Sequence, residues 1–135
     1  MFYSLFKFSA DDAKVSVVDV RDIAEVAVAA LTEAGHEGKI YDLTGSQSLT
    51  HGEMAAYLST ALGRQITFVN VSPEAMYDNL LSIGFPLWQA EGLMEEYAHY
   101  RRNEAAEVTS GVRDAISNEP RSFENFARDY AAMFS

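Results

Sequence analysis

Apolar positions in this chain recur first every second residue and then every three to four, and these switches mark its elements. "KVSVVDV", residues 14–20, alternates valine with polar residues and predicts a strand, with Val15 and Val17 facing the core and Val18 a further candidate. "DIAEVAVAALTEAG" follows with helical spacing: Ile23, Val26, Ala27, Ala30 and Leu31 share one face. Asp22 and Glu25 predict a reciprocal N-terminal cap for that helix, and Gly35 its end. "KIYDLTG", residues 39–45, reads as a second, buried strand that stops in a tight turn at Gly45. Thr50 and Glu53 repeat the capping pair before a helix that runs to Gly63, with Met54, Tyr57, Leu58, Ala61 and Leu62 as its apolar stripe. "QITFVNV", residues 65–71, predicts the third strand, with Ile66 and Phe68 turned inward.

From Ser72 onward the spacing is helical throughout. Ser72, Pro73 and Glu74 combine a cap, a first-turn proline and an acid, and Gly84 ends that helix. "PLWQAEGLMEEYAHYRRN" places Leu87, Ala90, Leu93, Met94 and Tyr97 on one face. A short helix is predicted over 112–116, and a last one, capped by Ser122, turns Phe123, Phe126, Ala127 and Tyr130 inward. The chain therefore reads as one domain, 1–135, with strand and helix units over 14–72 and a helical tail over 73–135. Three strands joined by helices favour parallel pairing through right-handed crossovers. The expected class is α/β, with α+β as the alternative: a small, mostly parallel three-stranded sheet, crossover helices and a helical C-terminal tail. Such a sheet has two open edges. The short apolar N-terminus suits one of them, and a homo-oligomer through the sheet edge is expected.

Composition narrows the partners. The 135 residues suffice for one core, and 48% apolar with 22% charged is ordinary globular usage. Twenty acidic residues against ten basic ones leave a net charge of −10, which repels nucleic-acid backbones and anionic membrane surfaces. Cysteine is absent, so disulfides, thiolate catalysis and cysteine-ligated metals are excluded. A reducing, cytoplasmic setting fits. The start, "MFYSLFKFSADD", lacks the basic residues of a secretion signal, and no run of about 18 apolar residues spans a bilayer. Asn70-Val71-Ser72 matches a glycosylation sequon at a predicted strand end, where chance is the simpler reading.

Few residues suggest chemistry. His36, His51 and His99 have no ligand spacing, so no metal site is expected, and all three read as surface residues. Asp19, Arg21 and Asp22 cluster where the first strand meets its helix and read as capping and ion pairing. Glu91, Glu95 and Glu96 read as a solvated helix face.

Three stretches carry a resemblance. "VSVVDVRDIAEVAVAALTEAGHEGKIYDLTG", "LTHGEMAAYLSTALGRQITFVNVSPEAMYDNLLSIGFPLW" and "NEPRSFENFARDYAAMF" together resemble the C-terminal, substrate-side half of NmrA-like proteins, atypical short-chain dehydrogenase/reductases of the NAD(P)H-dependent quinone-oxidoreductase type. The resemblance covers residues 14–135 and implies a partial Rossmann-like fold and an NADPH-linked activity. The family's glycine-rich cofactor half has no counterpart here. None of the eight glycines fits G-x-G-x-x-G, and backbone amides need glycine there to approach a diphosphate. No cofactor is therefore expected to bind to this chain alone. Met1 and the divergent first twelve residues favour an independent small protein over a fragment. Tyr3 and Lys7 have the Y-x-x-x-K spacing of a dehydrogenase acid–base pair, but outside the region where that pair belongs, so no catalytic residue is assigned. In the resembled family "GFPLW" faces the substrate pocket, which makes Phe85, Trp88 and Tyr97 candidate substrate-binding residues for a small apolar or aromatic ligand, with Tyr100 as an extension. The alternative for Phe85 and Trp88 is anchoring of the tail to the sheet. Two functions stay open: the substrate-side portion of an oxidoreductase, not catalytic alone, or a free-standing ligand-binding or interaction module.

Overall fold

The computed structural model describes residues 5–134. Two short ladders organise it. β1 (Leu5–Phe8) runs parallel to β4 (Thr67–Asn70), with Phe6 opposite Phe68. β2 (Lys14–Val15) pairs antiparallel with β3 (Leu49–Thr50). The class is α/β with a small parallel sheet, as the sequence implies, but the strands are distributed differently. The apolar N-terminal run is itself the parallel partner of β4. The strand expected over 14–20 pairs for two residues, and residues 39–45 form no ladder among the described residues. A strand persists only where a neighbour satisfies its N–H and C=O groups. The backbone of residues 39–45 meets another strand-like segment where the Gly45 N–H donates to the Ser16 carbonyl at 3.2 Å, and otherwise bonds to a turn and a side chain, at Lys39 to His36 and Asp42 to Thr109. Their alternation is still that of a strand. Tyr41 and Leu43 pack on Val26, Val112 and Ala115, while Ile40 is 90% exposed.

The helices follow their sequence signals closely, with two corrections, both in the first of them. α1 (Val20–Thr32) begins before Asp22, because the Asp19 carboxylate caps it by accepting from the Arg21 N–H at 2.9 Å. Asp22 is instead buried in the first turn and bound to Arg121. The expected core stripe of α1 also differs. Val26 and Ala29 are buried, whereas Ile23, Ala27, Ala30 and Leu31 are exposed. α2 (His51–Leu62) has the full Thr50–Glu53 capping box and ends at Gly63, whose left-handed φ of 63° favours glycine. α3 (Pro73–Ser82), α4 (Leu87–Arg101), α5 (Gly111–Ile116) and α6 (Phe123–Asp129) complete the tail, followed by a 3-10 turn over Ala131–Phe134. The Asn70 side chain accepts from Ala10 and Asp11 backbone N–H groups at 3.1 and 2.8 Å. The sequon asparagine is thus a turn-fastening residue.

β1 closes over an aromatic cluster. The Phe8 ring stacks on Tyr97 at 5.0 Å, and the Phe6 ring stacks on His51 at 5.5 Å. His51 is only 3% exposed, which corrects the surface reading of its helix-start position. β1 and α4 cover it, and its Nε2 meets the Tyr97 hydroxyl at 3.1 Å while Nδ1 has no partner. Burial lowers its pKa from 6.5 to about 4, so the fold holds the ring neutral. Between those values the unfolded chain binds the extra proton and the folded one does not. Stability should therefore fall as pH drops from about 6.5 to about 4, by roughly 2–3 kcal/mol for a shift of this size. Urea unfolding midpoints measured across that window check this, with His51→Phe expected to flatten the slope.

Candidate functional site

The two outer sequence motifs come together first. Asp22 accepts from the Arg121 backbone N–H at 2.8 Å and from its guanidinium, and a second arm of that guanidinium reaches Glu25 at 2.6 Å. In return Arg21 reaches Asp129 at 2.9 Å while staying paired with Asp19. "VDVRDIAE" and "PRSFENFARD" are thereby fastened to each other. The Arg21 pair holds the Asp19 carboxyl below the ordinary carboxylate range.

A cleft of about 460 Å³ opens beside this lock, between residues 15–18, 42–44 and the C-terminal end of α4 with the loop after it. Backbone contacts shape it. Ser16 donates from its N–H to the Ala105 carbonyl at 2.9 Å and from its hydroxyl to the Glu107 carbonyl at 2.5 Å. The Thr109 N–H donates to the Thr44 hydroxyl at 2.9 Å, and the Thr109 hydroxyl donates to the Asp42 carbonyl. Two glycines make these approaches possible. A Cβ on Gly45 would lie 2.0 Å from the Val17 carbonyl oxygen, and one on Gly111 would lie 2.0 Å from that of Asp42.

The lining is apolar at Val15, Val17, Val18, Leu43 and Ala105, and acidic at Asp42, Glu96, Glu104 and Glu107. Tyr100 contributes its ring, braced edge-on by Tyr97 at 5.0 Å. Burial first, and then a hydrogen bond to Glu96, push the Tyr100 phenol up to about 12, so at neutral pH it keeps its proton and donates it to Glu96. Glu104 is held down at about 2, first by Arg102 and then by His99. No basic side chain lines the cleft. Its chemistry suits a flat, neutral or cationic ligand with a hydrogen-bond acceptor, and repels phosphate.

Of the sequence-derived candidates, Tyr100 lines this cleft, and Phe85, Trp88 and Tyr97 do not. Tyr97 is buried behind Tyr100. Phe85 packs in the same cluster as Tyr97, and Trp88, 71% exposed, stands at the N-terminus of α4. The structure therefore brings Phe85 and Tyr97 into one cluster and leaves Trp88 at the surface. Sequence reasoning missed the loop over 104–109 and Ser16. The loop has no periodicity to announce it, and its role depends on backbone carbonyls.

A dinucleotide finds no matching cradle among the described residues. The first turns of α1, α2 and α3 carry Asp22, Glu53 and Glu74, which oppose a diphosphate. α4 starts at Pro86 after a single glycine, not a glycine-rich turn. No group of three or more His, Asp or Glu is arranged for a metal ion, and no helix is long and apolar enough to cross a membrane, again among the described residues.

No family model matches the chain. Individual relatives do. It is 39% identical over 123 residues to the NAD(P)H azoreductase of Xenophilus azovorans, a match covering 91% of this chain and 43% of the relative. A crystal structure of an NADPH-dependent quinone oxidoreductase from Escherichia coli superposes with a TM-score of 0.86 at 26% identity, covering 98% of this chain and 47% of that one. The Citrobacter sp. triphenylmethane reductase complexed with NADP(H) gives 0.85 at 26% identity, covering 95% and 44%. The chain thus spans less than half the length of these relatives. With the motif lock and the parallel ladder, these matches show a chain related along nearly all of its own length to part of NAD(P)H-dependent azo and quinone reductases, in line with the NmrA-like resemblance of its sequence.

Proposed function

We propose that this chain is the C-terminal, substrate-side portion of an NAD(P)H-dependent reductase of flat conjugated molecules, and that it neither binds NADPH tightly nor turns over substrate alone. The observation that carries this reading is the cleft: an apolar floor, a protonated phenol and an acidic rim, with no cationic group for a phosphate. Hydride chemistry belongs to the cofactor. This chain's part is to hold the acceptor, through stacking on Tyr100 and a hydrogen bond from its phenol that replaces the one to Glu96. Quinones, azo compounds and triphenylmethanes, the classes in the relatives' names, all offer rings that can lie against such a wall. A cytoplasmic setting fits a cysteine-free chain.

Trp88 supports a second wall for the same ligand. Its ring is exposed at the start of α4, and Phe85, three residues earlier in "GFPLW", packs in the Tyr97 cluster. Titration with 1,4-naphthoquinone, followed by Trp88 fluorescence and by calorimetry, separates the two. Tyr100→Ala should weaken binding roughly tenfold, from the loss of one stacked ring and one hydrogen bond. An effect from Trp88→Ala alone would move the site to the α4 N-terminus. No saturable binding in either assay would reject the substrate-side reading.

Self-association through the open edges of the β1–β4 ladder is the reading for the assembly of the chain alone. Light scattering at micromolar concentration should give a mass above 14.9 kDa, and a monomer would count against it.

A further inference from the structure

His51 is a buried base with no place in the lining of the acceptor cleft. Its ring is surrounded by Phe6 and Phe8 of β1, Phe68 of β4, and Tyr97 and Tyr100 of α4, with centroids 5.4–6.3 Å away. Nε2 meets the Tyr97 hydroxyl at 3.1 Å, and Nδ1 has no partner among the described residues. The titratable groups facing the ring are the phenols of Tyr97 and Tyr100, both of which burial keeps protonated at neutral pH. The charged groups on the surrounding elements are turned elsewhere. Glu53 accepts from the Thr50 N–H, Glu96 from the Tyr100 phenol, Arg101 donates to Ser9, and Lys7 is exposed. Burial alone lowers the His51 pKa, with no charge contributing. A second proton would make both ring nitrogens donors. The Tyr97 oxygen can accept from one, and the other would find no acceptor in place, so the charged ring must reach water.

β1 is the thinnest part of that cover. It has four residues and pairs with β4 alone among the described residues, whereas α4 is a 15-residue helix packed into the core with α3. The chain just after β1 is pinned. The Arg101 guanidinium donates to the Ser9 carbonyl at 2.6 Å, and the Asn70 side chain holds the Ala10 and Asp11 N–H groups. Residues 9–11 therefore serve as a hinge, with Leu5–Phe8 as the moving part. We propose that His51 is an acid-sensitive latch on β1: protonation of its ring releases Leu5–Phe8 from the aromatic cluster while the rest of the fold holds. The release reaches the acceptor cleft. Phe8 stacks on Tyr97 at 5.0 Å, and Tyr97 braces Tyr100 at 5.0 Å, so losing Phe8 loosens the aromatic wall. Acceptor binding and acid release then oppose each other. This coupling rests on the acceptor-cleft reading above; the latch itself does not.

Native-state hydrogen exchange tests the latch at the Leu5–Phe8 amides and at Val71, whose N–H donates to the Phe8 carbonyl at 3.1 Å. The ring titrates at about 4 when covered and at the ordinary 6.5 when released, so the open form should be about 30-fold more populated at pH 5 than at pH 7.5, after correction for intrinsic exchange. Low urea should barely change this opening, which exposes little surface, while the amides of α2 and α4 exchange through urea-sensitive global unfolding. His51→Gln keeps a polar partner for Tyr97 without a titrating ring and should remove the pH dependence; His51→Phe should do the same. The affinity for 1,4-naphthoquinone should fall over the same pH range, and clearly less in His51→Gln. Three results would overturn the latch: β1 amides that share the urea slope of α4, an open population unchanged between pH 7.5 and pH 5, or an undiminished pH dependence in both variants. An affinity that falls equally in wild type and His51→Gln would overturn the coupling to the cleft. Absence of naphthoquinone binding at pH 7.5 would reject the cleft reading, and exchange would still decide the latch.

Discussion

Gly111→Ala should destabilise the fold severely, lowering its melting temperature by more than about 10 °C. The added methyl would sit 2.0 Å from the Asp42 carbonyl oxygen and 2.7 Å from its carbon, both backbone atoms that no rotamer change can move. Relief requires pulling the start of α5 away from residues 39–45. That also strains the hydrogen bonds from Thr109 to Asp42 and Thr44 and separates Val112 from Tyr41 and Leu43. Overpacking of this kind against backbone costs about 3–5 kcal/mol or more, a large share of the 5–15 kcal/mol that holds a typical domain together. Gly92→Ala is the matched control. It lies in α4 with nothing within 4 Å of the added Cβ, so it should stabilise the fold by about 0.5–1 kcal/mol through helix propensity. Thermal melts by circular dichroism distinguish the pair. Equal melting temperatures for the two variants would mean that the close approach of α5 to residue 42 does not exist in solution.

Asp22→Ala is the second substitution with a large expected effect. Asp22 is 1% exposed and accepts from both the backbone and the guanidinium of Arg121, joining α1 to the start of α6 across 99 residues of sequence. Its removal leaves the Arg121 N–H and one arm of the guanidinium without their acceptor, with Glu25 the remaining partner. The expected loss is about 2–4 kcal/mol, read as a lower urea midpoint at unchanged slope. Glu25→Ala, which removes the exposed half of the same network, should cost under about 1 kcal/mol. If the two substitutions cost the same, burial is not what makes this pair matter.

These two sites show where sequence was informative and where it was not. The helices were legible because their signals are local: the Thr50–Glu53 box, Ser72-Pro73 and Ser122 all cap where their patterns place them. Asp22 was misread for the same reason. An aspartate three residues before a glutamate looks like a cap, and only the chain's far end shows that Arg121 claims both carboxylates. The strands were less legible because a ladder is a property of two segments. Residues 39–45 have a strand's alternation but form no ladder among the described residues, whereas the Leu5–Phe8 run, which looked like a mere edge cover, is a full partner of β4. His51 looked like a surface residue because its helix position is exposed in isolation, and β1 buries it. At the cleft, Tyr97 and Tyr100 were visible as aromatics at helical spacing. The loop over 104–109 was not, since it acts through the carbonyls of Ala105 and Glu107.

A calorimetric titration of NADPH into the isolated chain puts the division of labour between acceptor cleft and cofactor cradle to its most direct test. The first turns of α1, α2 and α3 carry carboxylates and α4 starts at a proline without a glycine-rich turn, so no saturable heat is expected up to about 1 mM ligand, a weak-binding limit of roughly −4 kcal/mol. Saturation at micromolar NADPH, one molecule per chain, would show that these residues build a cradle of their own and would contradict the account.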